Sequence, residues 1–248
     1  MSVFSPVLDA PPLTARSVVL SVLLGAPSDG LPARDIIAVA DRFEISSATT
    51  RVALSRLTSA GELTVDDAVY RLSARHVSRQ RAQDEALHPH SRPWDGSWRT
   101  LVVAGAGRGA AERAELRRTL TRSRFGELRE GVWLRPDTLD RPTLPDVDVV
   151  ELVSRPDDAS SLACRLWDLS AWSVTARTLL EVAGSADPLP ERFVANAAIV
   201  RHLRTDPCLP AELTPSDWPG DALRRTYEAF RTEIAALIPR PTHPQEDA

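Results

Sequence analysis

Ser46, Ser47, Thr49, Arg51, Ser55, Arg56 and Ser59 crowd into one stretch, "SSATTRVALSRLTSAGEL", from Ser46 to Leu63. Hydroxyls and guanidinium groups at this density point to one kind of chemistry. They hydrogen-bond to phosphate oxygens, and an arginine can also read the O6/N7 edge of guanine. An ordinary surface helix mixes acids with bases, whereas this stretch holds no carboxylate before Glu62. A helix that enters a DNA groove has such a face. The other reading is a solvated helix in a protein-interaction module.

Those side chains act together only if a helix carries them. At about 100° per residue, Thr50, Ala53, Leu54, Leu57 and Gly61 form a core stripe. Ser47, Ala48, Arg51, Ser55 and Ser59 lie opposite, flanked by Val52 and Arg56. Ser46 or Ser47 is the expected N-cap, and Gly61 the expected left-handed stop. Upstream, Thr14 can cap a helix that buries Val18, Val19, Val22 and Leu23. "GAPSDG" is a turn, and Pro32 suits the first position of a second helix that buries Ile36, Ile37 and Ala40. Ile45 is the expected buried residue of the break before the third helix. Downstream, Leu63–Val65 and Val69–Leu72 flank an Asp66–Asp67 turn and read as a hairpin. Three helices followed by a hairpin is the winged helix-turn-helix order, with the third helix in the major groove. This domain is expected over residues 13–76, after a Pro-rich arm at 1–12.

The bulk numbers permit this reading without demanding it. The chain has 248 residues, 43% hydrophobic and 26% charged, and a formal net charge of −4. No apolar run is long enough to span a bilayer. The N-terminus has the wrong charge order for a signal peptide. Cys164 and Cys208 are isolated, which argues against a disulfide scaffold or zinc site and favours a cytoplasmic protein. All thirty basic residues are arginine, a chain-wide bias that marks no single site. Residues 76–135 hold twelve arginines against seven acids, and residues 136–160 two against seven. A basic middle is thus followed by an acidic hinge.

A polar connector at 77–93, helical up to Leu87, holds His88 and His90. This pair lacks the further ligands of a metal shell, so no metal is expected. A strand at Arg99–Ala104, a helix at Ala111–Arg124, two strands around Arg129–Gly131 and a strand at 147–154 suggest a ferredoxin-like domain over 94–155. Arg113, Arg117, Arg118, Arg122 and Arg124 come from its helix. They either meet an anion or form a solvated face paired with Glu112 and Glu115. Residues 156–240 read as a C-terminal helical domain with a proline-punctuated loop at 206–220, followed by a tail at 241–248. The expected class is therefore α+β.

Several motifs together resemble the PaaX family of bacterial repressors: "TRVALSRLTSAGEL", "WDGSWRTLVVAG", "FGELREGVWLRP", "LWDLSAW" and "LRTDPCLPAELTPSDWPG". They occur in the family's order and span Thr14 to about Arg231. The last, an LPAEL segment followed by DWPG, is the most distinctive. The resemblance implies an N-terminal winged helix-turn-helix, a central ferredoxin-like domain of Cas2 type and a C-terminal helical region. It further implies a homodimer on a palindromic DNA operator, released by an acyl-CoA effector such as phenylacetyl-CoA. Arg51, Ser55 and Arg56 would be recognition-helix contacts. Family wings usually carry basic residues near the hairpin tip, whereas Asp66 and Asp67 stand here and would repel phosphate. For the effector, Arg201 and Arg204 in "VRHLRTD" are candidates for its phosphates. Trp94, Trp98, Trp133, Trp167, Trp172 and Trp218 either line an aromatic pocket or pack in cores.

A Cas2-like centre also raises metal-dependent nuclease activity as an alternative. Such nucleases need clustered carboxylates. Asp95 stands alone, and Asp146, Asp148 and Glu151 alternate along a strand. No nucleophile–base pair, P-loop or HExxH motif occurs. The sequence thus predicts no catalytic residue, no resident cofactor and no membrane partner.

Overall fold

The computed structural model describes residues 13–26, 30–74, 76–77, 84, 87, 91–104, 109–140 and 148–238. The arm at 1–12, most of the connector, His88, His90, Arg75, Asp146 and the tail at 241–248 lie outside the described residues. The chain divides into two compact units. The first takes residues from Met1–Gln83, Leu179–Ile199 and Arg224–Ala248, and the second Asp84–Thr178 and Val200–Leu223.

In the first unit, α1 (Ala15–Leu24) starts at Thr14, whose hydroxyl accepts from the Ser17 amide while the Ser17 hydroxyl accepts from the Thr14 amide. Two of the donors a helix start leaves open are satisfied in this way. The helix buries Val18, Val19, Val22 and Leu23, as its spacing predicts. A two-residue strand β1 (Leu31–Pro32) comes next, then α2 (Ala33–Asp41), α3 (Ser47–Ser59), β2 (Leu63–Asp66) and β3 (Val69–Leu72). Pro32 is the N-cap of α2 rather than its first residue, and Val39, not Ile37, completes the buried side with Ile36 and Ala40. Ile45 is half-buried against the core.

The three strands form an antiparallel sheet in the order β1-β3-β2. Strand β1 had no sequence signal, being only two residues long. Its approach depends on Gly30, at φ +84°, where a Cβ would strike the Tyr70 carbonyl and the Arg71 side chain. The hairpin turn falls on Asp67 and Ala68, both at positive φ, while Asp66 still pairs with Val69. Two consecutive left-handed residues make a type I′ turn, whose twist suits a hairpin. The turn is therefore one residue later than the expected Asp66–Asp67.

The first core joins α1, α2 and α3 to apolar residues from far along the chain, including Phe193 and Ile234. Phe43 and Phe193 meet edge to face at 5.5 Å, and Phe193 and Phe230 at 6.2 Å. Truncating a fully enclosed side chain such as Leu54 would cost about 2–5 kcal/mol.

The second unit is built on β4 (Trp98–Val103), α4 (Ala110–Arg122), β5 (Gly126–Arg129), β6 (Val132–Pro136) and β7 (Val149–Ser154). The sheet order is β5-β6-β4-β7, with all described neighbours antiparallel. This is the strand order of a ferredoxin-like sheet. Strand residues alternate between faces. Leu101 and Trp133 meet Leu116, Leu120 and Phe125 on one side, while Trp98 and Leu134 meet Ala163 and Leu213 on the other. Gly126 makes room for the second layer, since a Cβ there would lie 2.7 Å from Leu166 Cβ.

Helices α5 (Ala159–Leu166), α6 (Leu169–Ser185), α7 (Leu189–Leu203) and α8 (Gly220–Ala236) follow, with a 3₁₀ turn at Ala211–Leu213. The residues expected as one helical region over 156–240 are shared between the two units. Apolar side chains decide the division. Phe193, Phe230 and Ile234 close the first core, whereas Ala163 and Leu213 close one in the second unit. Among the described helices, none is long and apolar enough to cross a membrane.

Candidate nucleic-acid interface

Helix α3 starts where Ser46 turns its hydroxyl back to accept from the Thr49 amide at 3.2 Å. The Ser46 and Thr49 hydroxyls also bond to each other at 2.8 Å. The helix ends at Ala60, with the Gly61 amide donating to Thr58 and the Glu62 amide to Leu57. That pair of bonds is a Schellman motif, which needs the left-handed residue that Gly61 supplies at φ +68°. Both ends of α3 are thus set locally.

Thr50, Ala53, Leu54 and Leu57 are buried. Thr50 tolerates full burial because its hydroxyl donates to the Ser46 carbonyl at 3.1 Å. Gly61, expected in the same stripe, is exposed, because the chain has already left the helix there. Ser46, Ser47, Thr49, Arg51, Ser55, Arg56 and Ser59 are all exposed. The seven candidates therefore share one solvent face and the cap beside it.

The buried set fixes the direction of that face. At about 100° per residue, the direction opposite Thr50, Ala53, Leu54 and Leu57 runs through Ala48, Val52, Ser55 and Ser59. Arg51 and Arg56 lie on the two flanks, Arg51 beside half-buried Thr58. Val52 therefore stands nearer the centre than Arg51, the reverse of the sequence reading. Arg51 Nη1 donates to the Ser47 hydroxyl at 3.3 Å, and the Arg56 guanidinium has no polar partner among the described residues. Glu62, the nearest following acid, is engaged by Arg16 and by His76 at 3.2 Å. The face is a strip of small and apolar side chains between two cations that no acid among the described residues neutralises.

Beside it, Asp66 and Asp67 are exposed at the hairpin tip, and Arg71 is half-buried. Arg34, which the sequence reading did not single out, projects into solvent at the start of α2 beside Asp35. Its one signal was its place in the first turn of a helix.

The other candidate groups have structural partners. Arg118 bonds to Glu115 at 2.5 Å, Arg122 to Glu115 at 3.3 Å and Arg117 to Glu127 at 2.7 Å. Arg117 also lies over the Trp133 ring. Hydrogen bonds and charge from Arg118, with Arg122 beyond it, hold the Glu115 carboxyl below its ordinary pKa. Arg124 is buried and donates to the Arg204 carbonyl. Arg124, expected on this helix, lies past its end at Arg122 and at positive φ, whereas Arg117, Arg118 and Arg122 form the paired, solvated face.

Buried Arg135 donates to the carbonyls of Ser123, Leu139 and Asp140. Burial, with help from the charge of Arg99, pulls its pKa down to about 10. Arg99 reaches Asp137 at 2.8 and 3.0 Å and also meets Glu151.

Asp95, the nuclease candidate, accepts from the Ser97 hydroxyl at 2.5 Å and from the Ser97 amide at 2.9 Å, and pairs with Arg155 at 2.9 Å. Those bonds hold its pKa below the ordinary value. No metal-ligating cluster occurs among the described residues. Trp98, Trp133 and Trp172 are buried, and Trp94 and Trp167 pack against a core. Trp172 stacks between His202 at 4.4 Å and Trp218 at 4.3 Å. Arg201 and Arg204 are exposed on either side of that histidine in the sequence. Cys164 and Cys208 are not joined in a disulfide.

The sequence matches three family descriptions that follow one another along the chain: a PaaX-like protein over residues 14–76, the PaaX protein central Cas2-like domain over 91–155, and the PaaX-like protein C-terminal domain over 172–240. No curated protein matches the chain. The fold is similar to the solved structure of an uncharacterized protein, Rv0674, from Mycobacterium tuberculosis. That likeness has a TM-score of 0.86 and 49% identity, and covers 90% of this chain and 97% of the other. Three matches in order, and a relative this similar over nearly its whole length, place the chain in the PaaX family.

Proposed function

We propose that this protein is a ligand-responsive DNA-binding transcriptional repressor, non-enzymatic and cytoplasmic. Residues 13–76 act as a winged helix-turn-helix and place α3 in the major groove. The central Cas2-like domain and the C-terminal helices serve assembly and effector response. The observation that carries this reading is the exposed α3 face, with Arg51 and Arg56 unopposed by any acid among the described residues and five short hydroxyl side chains around them. Family membership supports it.

In this reading the repressor is a homodimer on a palindromic operator, because a two-fold protein reads two half-sites. Strand β7 suits a second copy. Among the described strands it pairs only with β4, and Val150, Leu152 and Val153 are exposed. An unpaired edge of this kind is a template for pairing with another chain. An acyl-CoA such as phenylacetyl-CoA releases the repressor, with Arg201 and Arg204 as candidate contacts to its phosphates. The regulated genes would then serve aromatic or acyl-CoA breakdown.

A mobility-shift titration with the gene's own promoter tests the reading. Salt-sensitive binding, weakened by Arg51→Ala and reversed by phenylacetyl-CoA, is expected. The exposed Asp66 and Asp67 favour one competitor, a winged-helix module that binds protein. Failure to bind any DNA at low salt would select that competitor. A nuclease would need Asp95 free, and its carboxylate is already engaged by Ser97 and Arg155.

A further inference from the structure

We infer that Val52 reads the 5-methyl group of a thymine in each half-site, while Arg51 and Arg56 hold the phosphates on either side. The inference rests on the reading of α3 as the groove helix. Val52 is 49% exposed and belongs to the small set of large apolar side chains in the structure that face solvent. A β-branched residue gives little to helix stability at such a position, and about half of its surface stays open to solvent. Its neighbours along the centre of the face are Ala48, Ser55 and Ser59, all smaller. The valine isopropyl group therefore stands above the middle of the strip as its highest apolar point.

The dimensions of the major groove give this arrangement a meaning. A helix with its side chains is about 10–12 Å across, and the groove is about 12 Å wide. The centre of the outward face then meets base edges, and the flanks meet the two phosphate walls. Arg51 and Arg56 occupy opposite flanks, and no acid on the face opposes them. Phosphate contacts set position and affinity but carry little sequence information. Discrimination falls to the centre strip. There the hydroxyls of Ser55 and Ser59 can bond to several base edges, whereas a valine has one complementary partner. Of the apolar groups at the major-groove edge, the thymine methyl is the one that projects far enough to pack against a side chain, cytosine offering only a flat C5–H. Set against cytosine or guanine, Val52 would cover a polar edge without replacing its lost water.

The test first selects binding sequences from a random duplex pool with the full-length protein. Each thymine of the selected half-site is then replaced by deoxyuridine, which removes the methyl and leaves base pairing unchanged. One position should weaken the wild type about three- to fivefold, the scale of one buried methyl. Val52→Ala should bind the thymine and uracil duplexes within about 1.5-fold of each other. Val52→Thr, close in shape, serves as a folding control and should keep part of the preference through its remaining methyl. Two results would overturn the inference while leaving DNA binding intact: no uracil-sensitive position, or undiminished thymine preference in Val52→Ala. Absence of any selected sequence would instead overturn the DNA-binding reading itself.

Discussion

Helices α3 and α4 carry the same basic residue in different company. Helix α4 looks the more promising on the number of basic residues alone, with Arg113, Arg117, Arg118 and Arg122 along one short helix. Yet Glu115 engages Arg118 and Arg122, and Glu127 and Trp133 engage Arg117. Helix α3 has only two arginines, and no acid meets either within the described structure. An anion approaching α4 must compete with carboxylates already in place, whereas an anion approaching α3 displaces water and one serine hydroxyl. On the proposed reading, unopposed charge, not basic count, suits a surface to phosphate.

Removing both α3 cations attacks that comparison directly and should have the largest effect. Arg51→Ala with Arg56→Ala should weaken promoter binding about 100-fold at physiological salt. The slope of log affinity against log salt should flatten by about 1 for each arginine. Unchanged affinity in a mobility-shift titration would remove α3 from the interface. A smaller gain is expected at the neighbouring wing. Asp66→Asn with Asp67→Asn should tighten binding a few-fold, and more so at low salt, if the tip lies within a Debye length of the backbone. No change would mean that the wing stays off the DNA.

The opposite arm of the comparison predicts almost nothing. Arg117→Ala and Arg118→Ala should leave promoter affinity within about twofold, since exposed ion pairs contribute little. A tenfold loss would make α4 a second DNA surface and break the contrast. The mildest effect concerns acidity. Burial holds the His202 imidazole pKa below its ordinary 6.5, against the raising effects of the Trp172 carbonyl and Asp206. The unfolded chain therefore takes up that proton first. The stability contributed is full above about 6.5 and is lost as pH falls through the lower folded value. Denaturant midpoints should drop between pH 7 and 5, and less so in His202→Gln. The exposed α3 face bears no carboxylate or imidazole, so DNA affinity of the folded protein should vary far less over that range.

Much of the fold was legible because it is local. The Thr14 cap, the Val18–Val19–Val22–Leu23 stripe, the serine start and glycine stop of α3, and the hairpin after it all follow from neighbours within a few residues. Strand β1 was not legible, since two residues carry no periodicity and Gly30 matters only where β3 passes it. The turn position was missed because Asp67–Ala68 lacks the glycine that usually marks a type I′ turn. Of the candidate site, the exposed residues of α3 were readable from their types and spacing. The central place of Val52 was not, because the direction of a helical face depends on which residues the rest of the unit covers.

By itself, the sequence determined the first three helices, the caps of α1 and α3 and the family motifs, since hydrogen bonds and side-chain spacing within a few residues decide them. Only tertiary structure decided which charges stay unopposed and which helices close which core. Glu127 reaches Arg117 across a strand and helix, Glu62 turns to Arg16 and His76, and Phe193 and Ile234 return to a core begun near Val18. These partners are distant in sequence and adjacent only after folding. Electrostatic neutralisation and burial act through space, over a few ångströms, so no local pattern can announce them.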